Sequence, residues 1–121
     1  MIAEDYVSYE VAKLLKEKGF DGEITTLVEE DNTKYDLTLS GFIQADVIPC
    51  PTHQMAMKWL REKDWHIVIL FDYRYVDEKL AYIPVITPMK AGDAICLKQG
   101  GFPTYEEAVE AALKYCLTEL I

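Results

Sequence analysis

Long hydrophobic runs, histidine and basic charge are all scarce in this sequence. Its longest near-apolar run, Ile67 to Phe71, falls far short of the roughly 20 residues that a bilayer-spanning helix needs, so no membrane partner is expected. Twelve Lys and Arg stand against twenty-one Asp and Glu, a net charge of -9. Such a field repels a phosphate backbone, which argues against nucleic-acid binding. Only residues 52–64 carry net positive charge, and there Lys58, Arg61 and Lys63 are offset by Glu62 and Asp64. The opening Met1-Ile2-Ala3-Glu4-Asp5-Tyr6 has neither the basic flank nor the apolar stretch of a secretory signal, which predicts a cytoplasmic location. Phosphate-cradling glycine loops, His-Glu-x-x-His, Gly-x-Ser-x-Gly and paired Cys-x-x-Cys are all missing, and with them the enzyme classes most readily read from motifs.

Three cysteines, Cys50, Cys96 and Cys116, make an odd number without an export signal and predict reduced thiols. Cys116 falls on the apolar face of a helix, where it serves as a small core residue. Cys50-Pro51-Thr52-His53 supplies only two of the four ligands of a zinc site, so neither a metal nor a cofactor is expected. With His53 and His66 the only imidazoles, an enzyme is the lesser expectation. It would have to use Cys50 or the histidines, for instance Cys50, His66 and Asp72 as nucleophile, base and orienter. Glu29, Glu30, Asp31 and Asp36 crowd one turn without the Asp-x-Asp-x-Asp-Gly spacing of a calcium loop; an acidic DNA mimic or anti-defence protein is a further alternative.

The composition, 50% apolar and 27% charged, is that of one soluble globular domain over residues 1–121. Ser8 opens an amphipathic helix over about 9–18 that carries Val11, Leu14 and Leu15, and Gly19-Phe20 stops it. Residues 24–29 and 35–40 alternate around Glu30 to Lys34 and read as a hairpin, with Leu37 and Leu39 on its second strand. Thr52 caps a second helix with the stripe Met55, Ala56, Trp59 and Leu60. Trp65 to Val76 is a strand whose first half is expected to be buried on both faces, and Leu80 to Thr87 is its hairpin partner. Pro84 cannot donate a ladder hydrogen bond, which predicts an edge position or a bulge for that second strand. Ala94 to Leu97 can add one strand more, and Thr104 opens a last helix with Glu107 placed to complete a capping box.

Three helix starts, Ser8-Tyr9-Glu10-Val11-Ala12, Thr52-His53-Gln54-Met55-Ala56 and Thr104-Tyr105-Glu106-Glu107-Ala108, are alike. Shared capping chemistry explains them better than a duplicated unit, because the hairpins between do not match. Leu14 to Phe20, Pro51 to Glu62 and Phe102-Pro103-Thr104-Tyr105-Glu106-Glu107-Ala108 together resemble a family of small uncharacterised proteins of gut Bacteroidetes and of their phages and integrated elements. That resemblance covers most of the chain and implies a small intracellular accessory protein of mobile-element origin, with no catalytic residue to carry over.

The expected architecture is therefore α+β: an antiparallel sheet of two hairpins, with room for a fifth strand, covered by three helices. The expected function is protein interaction, with another protein or a second copy as partner. Tyr73, Tyr75 and Tyr82 form the candidate partner surface, since they extend past the part of the hairpin that helices can cover. Pro84 leads to the further expectation that self-association would use the sheet face rather than its edge.

Overall fold

The structure is a computed structural model that describes residues 5–43, 46–74, 79–97 and 101–121. Its elements, in chain order, are α1 (Tyr9–Glu17), β1 (Thr26–Glu29), β2 (Lys34–Asp36), a 3-10 segment (Leu37–Phe42), β3 (Val47–Pro49), α2 (His53–Glu62), β4 (Trp65–Arg74), β5 (Lys79–Pro88), β6 (Ile95–Cys96) and α3 (Tyr105–Tyr115), which ends in a π-helical turn (Cys116–Leu120). The class is α+β, with antiparallel pairing throughout.

All three helices begin as their sequences dictate. The hydroxyls of Ser8, Thr52 and Thr104 accept from the amides of Val11, Met55 and Glu107 at 3.3, 3.2 and 3.1 Å, each satisfying one of the amides that a helix start leaves unpaired. At the end of α1, Gly19 takes a φ of +90°. There the amides of Gly19 and Phe20 reach back to the carbonyls of Lys16 and Leu15, a Schellman closure. Phe20 then lays its ring edge-on to Trp59 of α2, with centroids 5.9 Å apart.

Each hairpin gains a third strand, and the two hairpins belong to separate sheets, ordered β2-β1-β3 and β4-β5-β6. Three details depart from expectation. The second strand of the first hairpin stops at Asp36, because the Asp36 carboxylate caps the 3-10 segment by accepting from the amide and hydroxyl of Thr38. Leu37 and Leu39 therefore leave the sheet and stand exposed. On the opposite edge of β1 pairs β3, whose three residues are too few for alternation to reveal.

The second departure concerns Pro84, which lies in the central strand of its sheet rather than at an edge. Leu97 donates to the Pro84 carbonyl, and the amide and carbonyl of one strand residue point the same way. The missing N–H thus faces the end of the two-residue β6, and the ladder from β5 to β4 loses nothing. The third is the open face of β4, where Val68 and Leu70 are 38% and 44% exposed rather than buried.

Helices α2 and α3 cover the other face of β4 and β5, while α1 lies against β3 and α3. One continuous core results, joining Val11 and Leu15 of α1, Val28 of β1, Leu60 of α2, Ile67 and Ile86 of the second sheet, and Val109 and Leu113 of α3.

Candidate functional site

The far end of the second hairpin extends beyond the helices. Phe71 opposes Tyr82 and Tyr73 opposes Leu80 across the β4–β5 ladder, all four on the helix-covered face but past its cover. Phe71, Tyr73 and Leu80 are 58%, 49% and 60% exposed. Tyr82 is half-buried between Phe71, at a ring separation of 4.8 Å, and Tyr105 of α3, at 6.1 Å and nearly perpendicular. Of the three tyrosines expected to meet a partner, Tyr73 and Tyr82 thus belong to one apolar patch, and Tyr75 lies outside the described residues. Alternation along β4 marked the tyrosines. Tyr105 joined them through tertiary packing alone, and Phe71 and Leu80 joined through the extent of helix cover.

The patch adjoins a wide-mouthed cleft of about 630 Å³. Phe102 connects the two: its backbone bridges Tyr82, and it also lines the cleft. Tyr6 and Pro103 are further apolar walls, and among the charged groups Asp5, Glu106, Glu107 and Glu110 outnumber Lys34. Residues 5–7 run antiparallel to 51–53, with Val7 donating to the Pro51 carbonyl and the His53 amide donating to that of Asp5. This pairing brings the start of α1 beside the start of α2, and α3 crosses both with Glu110.

Three polar side chains meet there. The Glu110 carboxylate accepts from the Ser8 amide, the Ser8 hydroxyl and His53 Nε2, each at 2.8 Å. His53 is only 4% exposed, and its Nδ1 is buried without a hydrogen-bond partner. Serine, histidine and glutamate in contact invite comparison with a nucleophile, base and orienter, but the order is wrong. The carboxylate stands between the other two, and the serine hydroxyl, already capping α1, touches no imidazole. The cluster works as a polar strap joining three helix segments. Neither histidine nor glutamate signalled it in the sequence, since the partners are 57 and 102 positions apart.

The other candidate residues are dispersed. Cys50 lies in the core and donates its thiol to the Val7 carbonyl at 3.3 Å. His66 and Asp72 share one face of β4 but stand about 20 Å apart at the usual rise of a strand. Cys50, His66 and Asp72 therefore do not form a catalytic group. Burial pushes the thiols of Cys50 and Cys116 up to about 11 and about 12. A thiol-specific reagent at neutral pH is accordingly expected to label the exposed Cys96 rapidly and to reach Cys50 and Cys116 only on unfolding; mass spectrometry of the labelled native chain checks this. The same shifts have a consequence for stability. Both thiols ionise more readily in the unfolded chain, so their contribution is complete below pH 9 and is lost as the pH rises towards 11 and 12.

The acidic turn is held together by its own bonds. Asp31 accepts from the Thr33 amide and Asp36 from Thr38, which lowers both carboxyls below their usual range, while the Glu29 carboxylate accepts from the Tyr35 hydroxyl at 2.6 Å and raises that phenol. No group of three metal-ligating side chains occurs among the described residues, and no described helix is long and apolar enough to cross a membrane. No family model matches the chain, and no curated protein or solved structure is significantly similar to it.

Proposed function

We propose that this chain is a protein-interaction module that docks an apolar, basic segment of another protein on the far end of its second hairpin. The observation that carries this reading is the exposed patch of Phe71, Tyr73 and Leu80 beyond the helix cover, which Tyr82 joins to Tyr105 of α3. Broad rings with water-tolerant hydroxyls suit an interface that is sometimes empty and sometimes occupied. Charge selects the partner. Glu106 and Glu107 follow Tyr105 on the cleft side, and the whole chain carries -9. Lys or Arg beside apolar anchors would complement that field. The accessory role of mobile-element origin that the resemblance implies belongs to the same proposal.

Selection of displayed random peptides on the immobilised protein tests the reading. Enrichment of sequences combining aromatic or aliphatic residues with Lys or Arg is expected, with binding that weakens as salt rises. It should be lost in the folded double variant Phe71→Ser, Leu80→Ser. No enrichment, or peptides indifferent to those substitutions, would overturn the proposal.

A further inference from the structure

Among the described residues, β4 is the one long open edge of either sheet. The outer strands β2 and β3 have three residues each and β6 has two, whereas β4 has ten and pairs with β5 alone. Tyr82 and Pro84 turn their backbone groups towards Phe102 and Leu97. The odd-numbered residues of β5 therefore bond to the even-numbered residues of β4, and Ile67, Ile69 and Phe71 direct their amides and carbonyls outward. No described residue pairs with those groups. A flat, apolar edge of this length invites another strand unless it is covered or charged, and from Trp65 to Phe71 it has neither proline nor a carboxylate, lysine or arginine. Because Pro84 lies in the central strand, it gives this edge no protection, and the ground for expecting self-association to avoid an edge falls away.

We propose that two copies of the chain pair antiparallel through β4, joining their second sheets into one of six strands. The register follows from the sequence of the edge. With the two-fold axis at Ile69, outward-directed Ile67 meets the partner's Phe71, so backbone bonds form in matched pairs. On the open face the exposed Val68 meets the partner's Leu70. On the same face His66 falls opposite the partner's Asp72, and by symmetry this pair occurs twice. Sliding one strand by two residues would carry Asp72 past the end of the partner's β4 in one direction and set it against the partner's Val68 in the other, so neither direction keeps the His66–Asp72 pair. Charge thus singles out the register centred on Ile69. Asp72 already accepts from the Tyr73 amide through Oδ1, which leaves Oδ2 for the imidazole. The net charge of -9 opposes any association of copies, but it lies elsewhere, since residues 65–74 hold one aspartate and one arginine.

This inference does not rest on the docking reading, and its test is separate. Sedimentation equilibrium from low to high micromolar concentration is expected to show a monomer–dimer equilibrium. His66→Asp, which opposes two aspartate pairs, should weaken it about tenfold or more, and Asp72→Lys should weaken it less. The double variant His66→Asp, Asp72→Lys should restore it, with circular dichroism confirming the fold of each. Should His66→Asp fail to fold, Asp72→Lys at its exposed position and the double variant carry the test. A monomer at every concentration, a dimer indifferent to these changes, or a double variant without recovery would overturn the edge pairing. So would a dimer that dissociates only with Phe71→Ser, Leu80→Ser, which would place self-association on the face instead. Peptide docking should persist in His66→Asp, so failure of either proposal leaves the other standing.

Discussion

Leu113→Ala is expected to lower the unfolding free energy by about 2–5 kcal/mol, the range for truncating a fully buried leucine. Leu113 is wholly inaccessible and lies on α3, the helix that touches α1, α2, β4 and β5. A void there cannot be filled by collapse of a single neighbour, because the surrounding groups are anchored in different elements. Against the roughly 5–15 kcal/mol that holds a domain of this kind together, the loss is a large share. Urea unfolding should show a lower midpoint at unchanged slope. A midpoint like that of the parent chain would mean that α3 is not packed as described.

Glu110→Ala is the second large effect, and its origin is polar. The substitution removes the acceptor of three donors at once and leaves His53 Nε2 facing an apolar methyl in a site where Nδ1 already lacks a partner. A lost charge-assisted bond contributes about 1.5–3 kcal/mol, and an orphaned buried donor costs about 1–3 kcal/mol. Partial access of water to Glu110, whose side chain is one-quarter exposed, reduces the sum, and about 2–4 kcal/mol is expected. Glu107→Ala, one turn earlier on the exposed face of α3, should change stability by less than about 0.5 kcal/mol. Thermal unfolding of the two variants side by side gives the comparison, and equal effects would dissolve the strap.

Local chemistry was legible wherever neighbours along the chain determine it. Ser8, Thr52 and Thr104 announced three helix starts, Gly19 announced a stop, and the alternation from Trp65 announced the longest strand. The capping box at Thr104 formed only its hydroxyl half among the described residues, with the Glu107 amide donating to the Thr104 hydroxyl. The tyrosine-rich end of the hairpin was equally visible, because a period of two says which rings share a face. It does not say how far a helix will cover them.

What the sequence determined by itself is the α+β class, the caps, the hairpin pairing of β4 with β5 and the apolar stripes, all of which depend on residues within a few positions of one another or on a strict period. Tertiary structure alone decided that the hairpins lie in two sheets, that β3 completes the first, that Pro84 is central while β4 is the open edge, and that Ser8, His53 and Glu110 converge. The physical reason is common to all four. Sheet order and long-range polar contacts depend on which surfaces are left to pair after the helices have covered the core, and an amide pointing outward from Ile69 looks the same in sequence as one pointing towards a neighbouring strand.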